Sequence, residues 1–160
     1  MKLKQGSTLF LRGVIALIAL VTLALLIVMP QLEGRAADLD LFHIYANPLI
    51  IYTFIGSIPF FVALYQGFKL LGYVDQNKVF SPSAVQAVGN IKYCALAFAG
   101  LILLGILYIR LTSVDDDPAG VSAVSMVIIF GSIVIATAAA VFQRLLQNAV
   151  DIKSENELTV

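Results

Sequence analysis

VSAVSMVIIFGSIVIATAAAVF, residues 121–142, runs for twenty-two positions without an acid, a base or a histidine. Wound as an α-helix at about 1.5 Å per residue it reaches roughly 33 Å, enough to cross a hydrocarbon layer about 30 Å thick. Three further uncharged stretches lie upstream, at 13–29, 49–65 and 93–109. Each is near the short limit for a span and is expected to borrow flanking residues such as Leu9–Leu11, Ala46–Pro48 and Asn90–Lys92. Hydrocarbon offers the backbone no hydrogen-bond partner, so apolar runs separated by polar connectors must satisfy their amides internally, as helices. The reading is therefore an all-α integral membrane protein, a single four-helix domain with spans at about 10–30, 47–71, 90–110 and 120–143 and a tail over 144–160.

The composition agrees. Of 160 residues, 60% are hydrophobic and only 12% charged, far from the balance of a water-soluble domain. A formal net charge of zero argues against direct nucleic-acid binding, which needs an excess of Lys and Arg. With one cysteine, Cys94, and one histidine, His43, the chain can build neither an internal disulfide, nor a CxxC redox pair, nor a multi-histidine zinc site.

The prolines punctuate these runs. Pro30 is expected to close the first, Pro48 to open the second, and Pro118 to precede the fourth, all places where a missing N–H costs little. Ser81-Pro82 reads as N-cap and first helical residue of a helix that begins before the third span. Pro59 alone falls inside a span, where it deprives the Ile55 carbonyl of its donor and is expected to kink the helix beside Gly56 and Ser57. The basic start, Lys2, Lys4 and Arg12, followed by an apolar core also suits a signal peptide. The core is long for one, so the first helix is expected to be retained.

Orientation follows from the bases. Lys2, Lys4 and Arg12 precede the first span, Lys69, Lys78 and Lys92 fall between the second and third, and Arg144 and Lys153 follow the fourth, against Arg35 and Arg110 in the other two connectors. The positive-inside rule then puts both termini and the middle loop on the cytoplasmic side. The opposite loops carry the acids Glu33, Asp38 and Asp40, then Asp115, Asp116 and Asp117. The triple Asp invites a cation site. Three consecutive side chains diverge, however, and the EF-hand spacing is absent, so a hydrated loop starting the next helix is the expectation; Asp38, Asp40 and His43 could join only if the two loops met.

None of the four uncharged stretches contains an Asp, Glu, Lys, Arg or His of the kind that transporters and proton relays keep at membrane depth. No hydroxyl or thiol has a base at its own depth, so an enzyme is not expected and neither is a cofactor. Ser125, Ser132, Ala136, Ala139 and Ala140 fall on one face of the fourth span, and Ala95, Ala99 and Gly100 suggest a matching seam on the third; such small residues allow close helix contact. After Phe142 a helix is expected to continue to Ile152, with Leu145, Leu146, Ala149 and Ile152 as an apolar strip along the inner surface, ahead of a frayed polar end.

Lys4-Gln5-Gly6-Ser7-Thr8-Leu9-Phe10-Leu11, the run Ile58-Pro59-Phe60-Phe61-Val62-Ala63-Leu64-Tyr65-Gln66, Ile91-Lys92-Tyr93-Cys94-Ala95, and Asp151-Ile152-Lys153-Ser154-Glu155-Asn156-Glu157-Leu158-Thr159-Val160 together resemble the bacterial domain-of-unknown-function family twenty-nine seventy-five. The resemblance implies a small four-span inner-membrane protein, often encoded beside a Cro-like helix-turn-helix regulator, with no established activity and no catalytic residues to transfer. The expected role is a membrane sensor or regulatory partner of a cytoplasmic protein such as that regulator. The other reading is a small transporter, a pore or an immunity protein against membrane-active peptides. Lipid is the expected surrounding, and the sequence leaves homo-oligomerisation open.

Overall fold

A computed structural model describes residues 2–32, 47–112 and 119–158. Four helices account for nearly all of them: α1 (Lys2–Leu32), α2 (Pro48–Asp75), α3 (Pro82–Thr112) and α4 (Ala119–Leu158). Among the described residues there is no strand. All four helices are long and apolar enough to cross a membrane. The acids Glu33, Asp38, Asp40, Asp115, Asp116 and Asp117, with Arg35, His43 and Pro118, lie outside the described residues.

Neighbouring helices run antiparallel, and substantial packing joins α1 to α2, α2 to α3 and α3 to α4. The start of α1, the α2–α3 turn and the end of α4 therefore share one end, termed basal here, and the other is apical. Of these three, the α3–α4 contact is the most extensive and α1–α2 the least. Apolar side chains elsewhere point outward, as a protein solvated by hydrocarbon requires.

The α3–α4 seam has a simple cause. On α4 covered positions recur at Ser122, Ser125, Ile129, Ser132, Ala136, Ala139, Gln143, Leu146 and Val150, an alternation of three and four, with Gly131, Ala140 and Ala149 half-buried beside them. This is the period of left-handed, near-parallel helix packing. Ala136 and Ser132 are buried and meet the face of α3 that buries Ala95 and Ala99, so the small-residue seam forms as expected. Gly100 does not belong to it, because it is exposed and has open space where a Cβ would stand. The helical period carries it off the Ala95–Ala99 face.

Proline acts differently from expectation at one place. α1 continues through Pro30 to Leu32 instead of stopping there; only one intrahelical bond is lost, in a last turn whose carbonyls have few partners anyway. α2 likewise passes through Pro59 without interruption. Pro48 stands in its first turn, as the sequence suggests, and the structure adds an N-cap in which Asn47 Oδ1 accepts from Leu49 N at 3.0 Å. α3 begins at Pro82, with Ser81 Oγ accepting from Ala84 N at 3.4 Å.

Candidate functional site

The best-packed part of the described chain lies at the basal end. Val85, Val88 and Leu146 are buried there, with Leu70, Val79, Ala139 and Val150 packed against them. Three helices and one turn thus meet in a small apolar core. α4 gives the reason for placing part of it outside the bilayer: its 40 residues span about 60 Å, twice the hydrocarbon thickness. Leu146 and Val150 come after Gln143 and Arg144, the first polar residues beyond the apolar run.

The α2–α3 turn that closes this core is a Schellman motif. Asn77 adopts φ 54°, Asn77 N donates to Val74 O at 3.1 Å and Lys78 N to Tyr73 O at 2.8 Å. Asn tolerates the left-handed conformation better than other residues with a side chain, which explains a tight stop without glycine. Ser81 Oγ then donates to Lys78 O at 2.7 Å, tying the turn to the next helix.

Two polar clasps girdle the core. Arg12 Nη2 of α1 meets Asp75 Oδ2 at the end of α2 at 2.8 Å, and the guanidinium lies 5.2 Å from the Phe68 ring centroid. Arg12 packs over Gly72 here, where a Cβ would stand at an ordinary van der Waals distance of 3.5 Å from Arg12 Nη2. Lys92 Nζ of α3 donates to Gln143 Oε1 of α4 at 2.9 Å and sits 4.5 Å from the Tyr93 ring centroid. Here Gly89 is the socket, with Gln143 Nε2 only 2.7 Å from where a Cβ would be. Arg12 and Lys92 are therefore held by side chains of neighbouring helices.

The strip expected over Leu145, Leu146, Ala149 and Ile152 divides. Leu146 is 4% exposed against α3, whereas Leu145 is 60% and Ile152 65% exposed. The helix also does not fray after Ile152 but continues to Leu158. Gln147 Nε2 donates to Asp151 Oδ1 at 2.8 Å, an i, i+4 pair that supports the extension.

At the apical end α2 is flanked by two apolar clefts. One, about 350 Å³, lies against α1 and includes Thr22, Met29, Pro30 and Thr53. The other, about 420 Å³, lies against α3 and includes Tyr52, Gly105 and Tyr108. Tyr52 Oη donates to Leu101 O at 2.5 Å, its ring seated on Gly105. Four other hydroxyls within the spans bond to their own helices: Thr53 donates to Leu49 O, Ser57 to Phe54 O, Ser132 to Ile128 O and Thr137 to Ile133 O, all within 2.9 Å.

The sequence reading missed Asp75, Gly89, Gln143 and Asn77. Lone polar residues and single glycines carry no spacing signal; only the Asn77…Ser81-Pro82 pattern of stop followed by start could have been recognised.

A family model described as protein of unknown function (DUF2975) matches residues 31–160. The chain belongs to this family. It is 46% identical over 160 residues to the uncharacterized membrane protein YoaS of Bacillus subtilis (strain 168), a match covering 99% of this chain and 100% of that one. No solved structure matches. As a DUF2975 protein with four spanning helices, the chain is a membrane protein.

Proposed function

We propose that the protein is a non-enzymatic sensor or regulatory element of the bacterial inner membrane, working through its basal end on a cytoplasmic protein. The observation that carries this is the helical core formed by the end of α2, the start of α3 and the end of α4, with α4 reaching well past the hydrocarbon. A protein needing only to sit in lipid has no use for such a projection. The charge distribution supports the orientation, since Lys69, Lys78, Lys92, Arg144 and Lys153 all belong to the basal side. The hydroxyls of Thr53, Ser57, Ser132 and Thr137, bonded to carbonyls of their own helices, favour this reading over a water-filled transport path.

Transcript profiling of a deletion strain complemented with two chains tests the proposal. Deletion should change a defined set of transcripts, the full chain should restore them, and a chain ending at Val150 should insert in the membrane without restoring them. An unchanged profile on deletion would refute a regulatory role.

A further inference from the structure

The outward face of α4 carries a feature that lipid alone does not explain. Apolar or small residues recur every three and four positions from Val121 to Ile152, through Val124, Ile128, Gly131, Ile135, Ala138, Phe142, Leu145 and Ala149. All are exposed except Gly131 and Ala149, which are half-buried. The row runs beside the α3-facing seam, one residue out of phase with it, and keeps the same period over its whole length.

A face that merely touches lipid should turn polar where the hydrocarbon ends, and the other outward rows of α4 do so. The row through Phe130 and Thr137 continues as Arg144 and Asp151; that through Ile133 continues as Gln147; that through Val134 continues as Asn148. The row through Ile135 does not change. It continues as Leu145, half-buried Ala149 and Ile152, the last roughly 46 Å along the helix from Val121 and therefore beyond about 30 Å of hydrocarbon. Ile152 is 65% exposed between Asp151 and Lys153, in water.

We propose that this row is a self-association surface, on which α4 pairs in parallel with α4 of a second copy about a two-fold axis along the membrane normal. The occupant follows from the row's continuity through two solvents. A soluble segment could cover Leu145 and Ile152 but not Ile128 or Ile135, and lipid covers the latter but not the former. A second α4 has the same apolar period in both solvents in the same order, so parallel pairing sets like against like throughout. Antiparallel pairing would set Ile152 beside the apical end of its partner. Asn156, exposed at the next position of the row, would meet its counterpart, the arrangement by which a lone polar core residue sets register. A contact strip about 54 Å long and about 10 Å wide on each helix gives roughly 1,000 Å² in total, the lower bound for a specific interface. The inference requires only that α4 spans the membrane and is independent of the proposed regulatory role.

Oxidative cross-linking in native membranes tests it. With Cys94→Ala as background, single cysteines are placed in the row at Ile135→Cys and Ile152→Cys, and off it at Ile133→Cys and Asp151→Cys. Both row positions should give dimer-sized species, with about tenfold lower yield at the two others, because only cysteines facing their own counterparts come within disulfide reach. Adding Leu145→Glu to Ile135→Cys should suppress the cross-link while helical content by circular dichroism is unchanged. Absence of dimer at both row positions, equal yield on and off the row, or a product at Ile152→Cys of another size with none at Ile135→Cys would each overturn the proposal.

Discussion

Replacing Gly89 by alanine should change sign with the residue opposite. A Cβ at position 89 would stand 2.7 Å from Gln143 Nε2 and 3.2 Å from Gln143 Cδ, so the amide must swing aside. Moving it breaks the 2.9 Å bond from Lys92 Nζ to Gln143 Oε1. A hydrogen bond to a charged group contributes about 1.5–3 kcal/mol, and the lower part of that range applies because the pair is only partly buried. Against this, alanine gains about 1 kcal/mol over glycine in a helix interior. Gly89→Ala should therefore destabilise the protein by about 0.5–1 kcal/mol, yet stabilise it by about 1 kcal/mol when Gln143 is already alanine. The chain has no tryptophan. Unfolding by sodium dodecyl sulfate in mixed micelles is then best followed by far-UV circular dichroism over the four single and double variants. Stabilisation by Gly89→Ala in the native background, or the same effect in both backgrounds, would refute the socket.

Other contacts give further expectations, each measurable by the same unfolding titration. Tyr52→Phe removes the donor to Leu101 O but leaves that carbonyl within its helix, so the loss should be about 0.6 kcal/mol and not above about 1.7. Asp75→Asn should cost about 1 kcal/mol or less, since both partners of the pair are about a third exposed and solvent screens them. Arg12→Ala should cost more, because the contact with the Phe68 ring is lost as well. Leu146→Ala should destabilise by about 2–4 kcal/mol through a cavity in the basal core, whereas Leu145→Ala, one residue away and facing outward, should leave monomer stability within about 0.5 kcal/mol.

What the sequence shows clearly is whatever the solvent dictates. Hydrocarbon excludes charge over whole segments, so 121–142 declares its helix, and Ala95, Ala99, Ser132 and Ala136 declare a seam by period alone. The basal site is less legible because its contacts are pairwise and distant in the chain. Arg12 reads only as one of the bases before the first span until Asp75 is set beside it, and Gly89 carries no signal until Gln143 needs its space. Leu145 and Leu146 look equivalent in a periodic pattern, yet a rotation of about 100° per residue sends one into the core and the other out. Pro30 shows the opposite error: a local rule predicts a stop, but the helix had only one turn left to lose.

Two single cysteines in the Cys94→Ala background decide whether α4 crosses the membrane and projects into the cytoplasm. Phe130 is 70% exposed, and Asp151 is also exposed, so protein alone shields neither. With a membrane-impermeant maleimide, Asp151→Cys should be labelled in inside-out vesicles and spared in right-side-out ones, while Phe130→Cys stays unlabelled in both until detergent is added. Labelling of Phe130→Cys in intact vesicles, or of Asp151→Cys from the outer side, would contradict the account.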